Sequence, residues 1–178
     1  MTAQRVSEVA GARQIEIDLR AREWKLPADR VKNGSAHCVP LSPLAIRLFE
    51  EAMSRSKSAC FVFPSPFTDQ AIIGQAVAKA MKRSSAHLQL DNATPHDLRR
   101  TAATGMAKRR IPRLTIDKVL NHISADRSTI AGVYDRHAYD VEKREALQCW
   151  ADALGEIVRN ETANIVALRL PERFAAAQ

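Results

Sequence analysis

The sequence predicts a mainly α-helical protein with one small antiparallel β-sheet, an α+β arrangement. Three observations carry this expectation. From Ser42 onward, apolar residues recur at three- and four-residue spacing over most of the chain. Residues 14–41 instead alternate apolar and polar, and they contain the Asn33-Gly34 pair, a two-residue hairpin signal. Proline, threonine, asparagine and glycine stand where the helical runs start and stop.

In chain order, "TAQRVSEVAG" has a helical pattern from its second residue, with Val6 and Ala10 one turn apart and Gly11 as the stop. A helix that begins at the initiator looks cut, so the expectation is a fragment of a longer protein or a shortened reading frame. "IEIDL" puts Ile15, Ile17 and Leu19 on one face of a strand; "EWKLPA" and "HCVPLS" follow as two more, with Asn33-Gly34 as the tight turn between them. Leu44, Leu48 and Ala52 mark a helix; Ile72, Ala76, Val77 and Ala80 mark another. A third runs from Thr94 to about Arg110, with Thr94 as N-cap, Pro95 at the first helical position and Asp97 closing a capping box. On it, Leu98, Ala102 and Met106 are expected to face the core, opposite His96 and Arg99. Pro112 opens a fourth helix through Ile116, Val119 and Leu120, which Asn121 ends. A long last helix carries Leu147, Trp150, Ala151, Leu154 and Val158 on one packing stripe, and "NIVALRL" in the tail is strand-like.

The 178 residues suffice for one domain with a real core. Lysine and arginine outnumber aspartate and glutamate 27 to 20, a net charge of +7, which fits a polyanionic partner and most simply nucleic acid. Cys38, Cys60 and Cys149 have neither disulfide nor zinc spacing and read as buried small hydrophobes in a reducing cytoplasm. No apolar run has the length of a membrane span, and nothing resembles a signal peptide.

Chemistry concentrates at "TPHDLRR", Thr94 to Arg100. A helix start favours anions, because its first N–H groups lack partners and the macrodipole is positive there. His96 and Arg99 in that turn therefore suggest an anion from outside the protein. A guanidinium matches phosphate oxygens in a planar fork, and an imidazole exchanges protons near neutral pH. Arg5 and Glu8, three apart, offer a second guanidinium with a carboxylate to hold it. Lys32 precedes the Asn33-Gly34 turn, His122 lies just past a helix, and Tyr134 and Tyr139 are the chain's two tyrosines. Taken singly, each has a bland reading: a solvated basic face, an ordinary helix-surface pair, a solvated hairpin lysine, a half-buried aromatic.

Taken in order, Arg5, Lys32, His96-x-x-Arg99, His122 and Tyr134 resemble the tyrosine recombinases of the phage-integrase family, most closely the integrases of P4-like prophages and genomic islands. "TAQRVSEV" is similar to the first-arginine motif, "WKLPADRVKNGSAHCVPLS" to the catalytic-lysine hairpin, "TPHDLRRTAAT" to the H-x-x-R helix, "LNH" to the following histidine motif, and "GVYDRHAY" with "EKREALQCWAD" to the nucleophile region. The resemblance implies a recombinase catalytic domain over residues 1–160, with neither the N-terminal core-binding domain nor an arm-binding module, and a tail, 161–178, that docks onto a neighbouring copy. It implies a double-stranded DNA attachment site as partner, a homotetramer on DNA that is weakly associated or monomeric without it, and no metal or other cofactor; for the tail, a strand folded back in cis stays as the alternative to docking in trans. It further implies that Tyr134 attacks the scissile phosphodiester to give a 3′-phosphotyrosine, with His96 as base, Lys32 as acid, Arg5, Arg99 and His122 on the phosphate oxygens, and Glu8 orienting Arg5. Asn121 departs from the family's usual glycine, and the spacing from His122 to Tyr134 is longer than common. Tyr139 therefore stays as the alternative nucleophile, with Tyr134 favoured by "GVYDR". The rival functions are a truncated prophage remnant that only binds DNA and a type IB topoisomerase-like nicking and closing activity.

Overall fold

The computed structural model describes residues 1–88, 92–122 and 139–159. They are mainly helical with one three-stranded antiparallel sheet, as the sequence predicts. The order is helix α1 (Val6–Ala10), a 3-10 turn (Gln14–Glu16), strands β1 (Ile17–Asp18) and β2 (Glu23–Leu26), a second 3-10 turn (Ala28–Arg30) and strand β3 (His37–Pro40). Helices α2 (Pro43–Arg55), α3 (Gly74–Arg83), α4 (Ser85–Leu88), α5 (Pro95–Lys108), α6 (Arg113–Val119) and α7 (Asp140–Arg159) follow. Strand β2 lies centrally, with Trp24 opposite both Ile17 and Val39.

The sheet packs one face against the helices. Trp24, Leu26 and Val39 are buried there with Leu41 and Val62, and Trp24 meets Phe49 of α2 edge-on at 5.6 Å between ring centres. Helix α7 lies along β3 and α6. Its Lys143, buried despite its charge, donates to the Cys38 carbonyl at 2.9 Å and pairs with Asp140 at 2.7 Å. Trp150 of α7 lies against the backbone of α5, where a Cβ on Gly105 would come within 2.1 Å of the indole ring. Only glycine permits that approach. An apolar groove of about 440 Å³ opens between Met1, Leu48, Val77, Leu98 and Leu154, with Arg99 in its wall.

Several expectations are corrected. Residues 1–5 precede the first helix instead of belonging to it, and Ala3 adopts a left-handed φ of 56°. The alternation of "IEIDL" is inverted at its start: Ile15 is 93% exposed while Glu16 is buried, where it accepts from Trp24 Nε1 at 3.1 Å and from Arg30. Asn33-Gly34 is no two-residue hairpin turn, because residues 27–36 separate β2 from β3. In α2 the buried stripe is Ala45 and Phe49, with Leu48 about half exposed. Ile72 lies before α3, and no residue of that helix is buried. On α5, Leu98 is exposed, and Arg99 takes the inner face with Ala102 and Met106. Leu147, Trp150 and Ala151 are buried as expected, but Val158 is 83% exposed near the end of α7. Cys60 is exposed, and Cys38 and Cys149 are half-buried free thiols. The tail, 161–178, lies outside the described residues.

His37, the first residue of β3, sits buried with Nε2 3.3 Å from the Val119 carbonyl. Burial, reinforced by the Lys143 charge, pulls its pKa down to about 4 against an ordinary 6.5, although the Val119 bond opposes the shift. A proton therefore binds the unfolded chain first, and stability is lost as pH falls from 6.5 towards 4. Urea unfolding at pH 7.5 and pH 5 is expected to differ by about 2 kcal/mol from this group alone. That increment disappears in His37→Gln; an unchanged pH dependence in the variant contradicts the assignment.

Candidate active site

The site is assembled on the C-terminal end of α6. The last carbonyls of a helix lack intrahelical donors and carry the negative end of its dipole. Here they are met by cations and amides from distant parts of the chain. Gln4 Nε2 donates to Val119 O at 3.0 Å, Arg99 Nη2 to Leu120 O, and Arg5 Nη2 to Asn121 O at 3.4 Å. The next residue is His122. Its placement follows from a Schellman ending: Asn121 stands at φ 49° while its N–H reaches Lys118 O, and the His122 N–H reaches Asp117 O at 2.9 Å. Asparagine tolerates that left-handed position, which explains how it can stand where glycine is usual.

Arg5 leads into α1, and the buried Glu8 holds it at both ends. One carboxylate oxygen accepts from the Arg5 backbone N–H at 2.9 Å and the other from Nη1 at 3.0 Å. The Arg5 side chain stays a quarter exposed. Helix α1 is fixed in turn by Arg30, which donates to the Glu8 carbonyl at 2.7 Å and pairs with Glu16.

Arg99 is 6% exposed. Its position on the inner face of α5 is explained by what waits there: the carbonyls of Ala3, at 2.5 Å, and Leu120. Without Arg99 both would lack this donor, and a buried guanidinium without them would be prohibitive. Burial and then the Arg5 charge pull the Arg99 pKa down to about 10, with Glu8 opposing, so the side chain remains a cation at neutral pH. Beyond these two bonds, Arg99 carries a second N–H on each Nη and one on Nε, which have no hydrogen-bond partner among the described residues.

Arg99, His96 and His122 line one depression of about 370 Å³, which also includes Arg100, Arg113 and Asp117. His96 is exposed on the first turn of α5, beside Asp97. The Thr94 capping box forms as predicted, with Asp97 N to Thr94 Oγ1 at 3.3 Å and Thr94 N to Asp97 Oδ2 at 3.1 Å. Hydrogen bonds from Thr94 hold the Asp97 carboxyl below its usual range. His122 Nδ1 faces Asp117 Oδ1 at 3.5 Å. Lys32 is exposed, between buried Val31 and half-buried Asn33; Asn33 Nδ2 donates to Asn121 Oδ1 at 2.9 Å. Arg5, Arg99 and His122 are thus brought together, His96 shares the depression, and the Lys32 segment is tied to the same turn. Tyr134 lies outside the described residues. Tyr139 precedes α7 at φ 54°, with the Lys118 ammonium 4.5 Å from its ring centre.

Gln4, Asn33, His37 and Asp117 escaped the sequence reading as site-building residues. Asp117 carries a retrievable signal, since it lies five residues before His122 across a helix end; the others act through partners remote in sequence. Among the described residues no group of three or more His, Cys, Asp or Glu side chains gathers as a metal site, and no helix is long and apolar enough to cross a membrane.

This construction can be set beside known proteins. The family model for the phage integrase family matches residues 1–140. Prophage integrase IntA of Escherichia coli K12 is 35% identical over 153 residues, covering 85% of this chain and 36% of its own length. Prophage integrase IntZ of the same strain is 32% identical over 158 residues, covering 89% of this chain and 38% of its own. Among solved structures, XerA recombinase superposes with a TM-score of 0.60 at 15% identity, covering 89% of this chain and 52% of that one. The Tn1549 transposon integrase, solved with circular intermediate DNA, gives 0.54 at 17% identity, covering 82% and 53%. The chain belongs to the phage integrase family, the tyrosine recombinases, and it spans under two-fifths of the length of these two curated relatives.

The electrostatics of His122 can be tested directly. Burial and the Arg99 charge lower its pKa from 6.5, while Asp117 works in the opposite direction. In Asp117→Asn the imidazole is expected to titrate at still lower pH. An NMR titration of the labelled ring in both proteins reads this, and an unchanged or higher midpoint in the variant contradicts it.

Proposed function

We propose that this chain is the catalytic domain of a site-specific DNA recombinase that cuts and rejoins double-stranded DNA in the cytoplasm through a 3′-phosphotyrosine, during integration or excision of a phage or genomic island. The observation that carries the reading is the seating of Arg5 and Arg99 on the consecutive carbonyls of Asn121 and Leu120, beside His122. Two guanidiniums and an imidazole around one helix end suit the non-bridging oxygens of one phosphodiester.

In this reading Tyr134 Oη attacks phosphorus, its proton passes to His96, and the bond from phosphorus to the 5′ oxygen breaks as Lys32 protonates that oxygen. Negative charge grows on the non-bridging oxygens in the transition state. Arg5, Arg99 and His122 act on that charge more strongly than on the ground state, and removal of one donor costs on the order of a hundredfold in rate. Glu8 holds Arg5 in register. The phosphate energy is stored in the tyrosyl ester, so religation consumes no nucleotide. A homotetramer on the attachment site, with the tail 161–178 docked on a neighbour, belongs to the same proposal. Support for DNA as substrate comes from the basic balance of the chain, from its family and from the DNA complex of the Tn1549 integrase.

The test is covalent capture. The chain is incubated with a library of nicked duplexes of randomised sequence, in which the cleaved fragment diffuses away, and DNA that survives denaturation and phenol extraction bound to protein is sequenced. The expected outcome is a protease-sensitive adduct on a defined sequence family, abolished by Tyr134→Phe and retained by Tyr139→Phe. No adduct at any sequence, or one that survives Tyr134→Phe, overturns the reading.

A further inference from the structure

We propose that Asn33 is a positioning residue that pins Lys32 to the turn carrying His122. The inference rests on the reading of Lys32 as proton donor to the departing 5′ oxygen. Lys32 sits in the long connection between β2 and β3, and its exposed side chain has four rotatable carbons; little in the lysine itself decides where its ammonium goes. The neighbouring residues do. Val31 is buried, and the Gly34 N–H closes back onto the Val31 carbonyl at 2.9 Å with Gly34 at φ +67°. Two residues before Lys32, Arg30 is anchored on Glu16 and on the Glu8 carbonyl.

Asn33 supplies the tether that reaches the site. Its Oδ1 accepts from the Ser35 N–H at 3.2 Å, which fixes the amide plane. Its Nδ2 then donates to Asn121 Oδ1 at 2.9 Å and lies 3.5 Å from Asn121 O, the carbonyl that also receives Arg5. One residue, Asn121, therefore sets three things together: the guanidinium of Arg5, the backbone of His122, and through Asn33 the backbone of Lys32. An acid misplaced by about 1 Å can lose around a hundredfold in rate, so a tether of this kind matters kinetically even where its contribution to stability is small.

A merely structural tether is told apart by changing the leaving group. In a duplex whose scissile 5′ oxygen is replaced by sulfur, the phosphorus–sulfur bond breaks to a thiolate, which is far less basic than an alkoxide and leaves without a proton. Sequences captured in the adduct experiment supply the duplex. On the oxygen substrate, Asn33→Ala is expected to cleave about tenfold to a hundredfold more slowly than the unsubstituted chain. On the sulfur substrate it regains the unsubstituted rate, as does Lys32→Ala. Asn33→Asp keeps the acceptor for Ser35 but loses the donor to Asn121, and it is expected to follow Asn33→Ala. If Asn33→Ala is slow on both substrates, or normal on both, while Lys32→Ala is rescued by sulfur, this inference fails and the proposed function stands. If Lys32→Ala is not rescued, the assignment of the acid fails and takes the inference with it.

Discussion

The end of α6 is the constraint on which the rest depends. A helix terminus buried against other elements must find donors for its carbonyls, because unpaired acceptors in the interior are costly. In this chain the donors are Gln4, His37, Arg99, Arg5 and Asn33, drawn from the N-terminal segment, β3, α5 and the connection between β2 and β3. Satisfying the helix end and collecting the cationic side chains are therefore one event. The same bonds that complete the backbone of α6 aim two guanidiniums at a shared place and set His122 beside them.

This arrangement resolves an electrostatic difficulty. Two guanidiniums near each other repel, and burial of one makes the repulsion worse; the lowered pKa of Arg99 records both effects. Glu8 offsets part of it from the Arg5 side, and the helix dipole offsets more, since the negative end of α6 faces the pair. Under the proposed function, an incoming phosphate completes the neutralisation. His122 carries a smaller version of the same balance, depressed by burial and Arg99 and supported by Asp117. Among the described residues, the cationic charge of the site is thus only partly compensated.

Much of this was legible in the sequence where the determinants are local. The α5 start follows from Thr94, Pro95 and Asp97 within four residues, and the α6 stop from Asn121; both form as read. The family was legible because several weak motifs stand in one order, although none is specific singly. What the sequence concealed depends on remote partners. Arg99 displaced Leu98 from the inner face of α5 because the carbonyls of Ala3 and Leu120 lie there. Glu16 displaced Ile15 because Arg30 and Trp24 await it inside. Asn33-Gly34 has the composition of a tight turn, yet the side chain of Asn33 is engaged 88 residues away. Periodicity registers hydrophobic faces and has no means of registering such long-range polar contacts.

The central claim is spatial: Arg5, Arg99 and His122 address a single phosphorus. The direct measurement is a crystal structure of the Tyr134→Phe chain with an uncleaved duplex. The account predicts one phosphate with its non-bridging oxygens within hydrogen-bond reach of all three side chains, at the end of α6. A duplex seated with its backbone on another face, such as the exposed lysines of α3, and with no phosphate near Arg5 and Arg99, would contradict it.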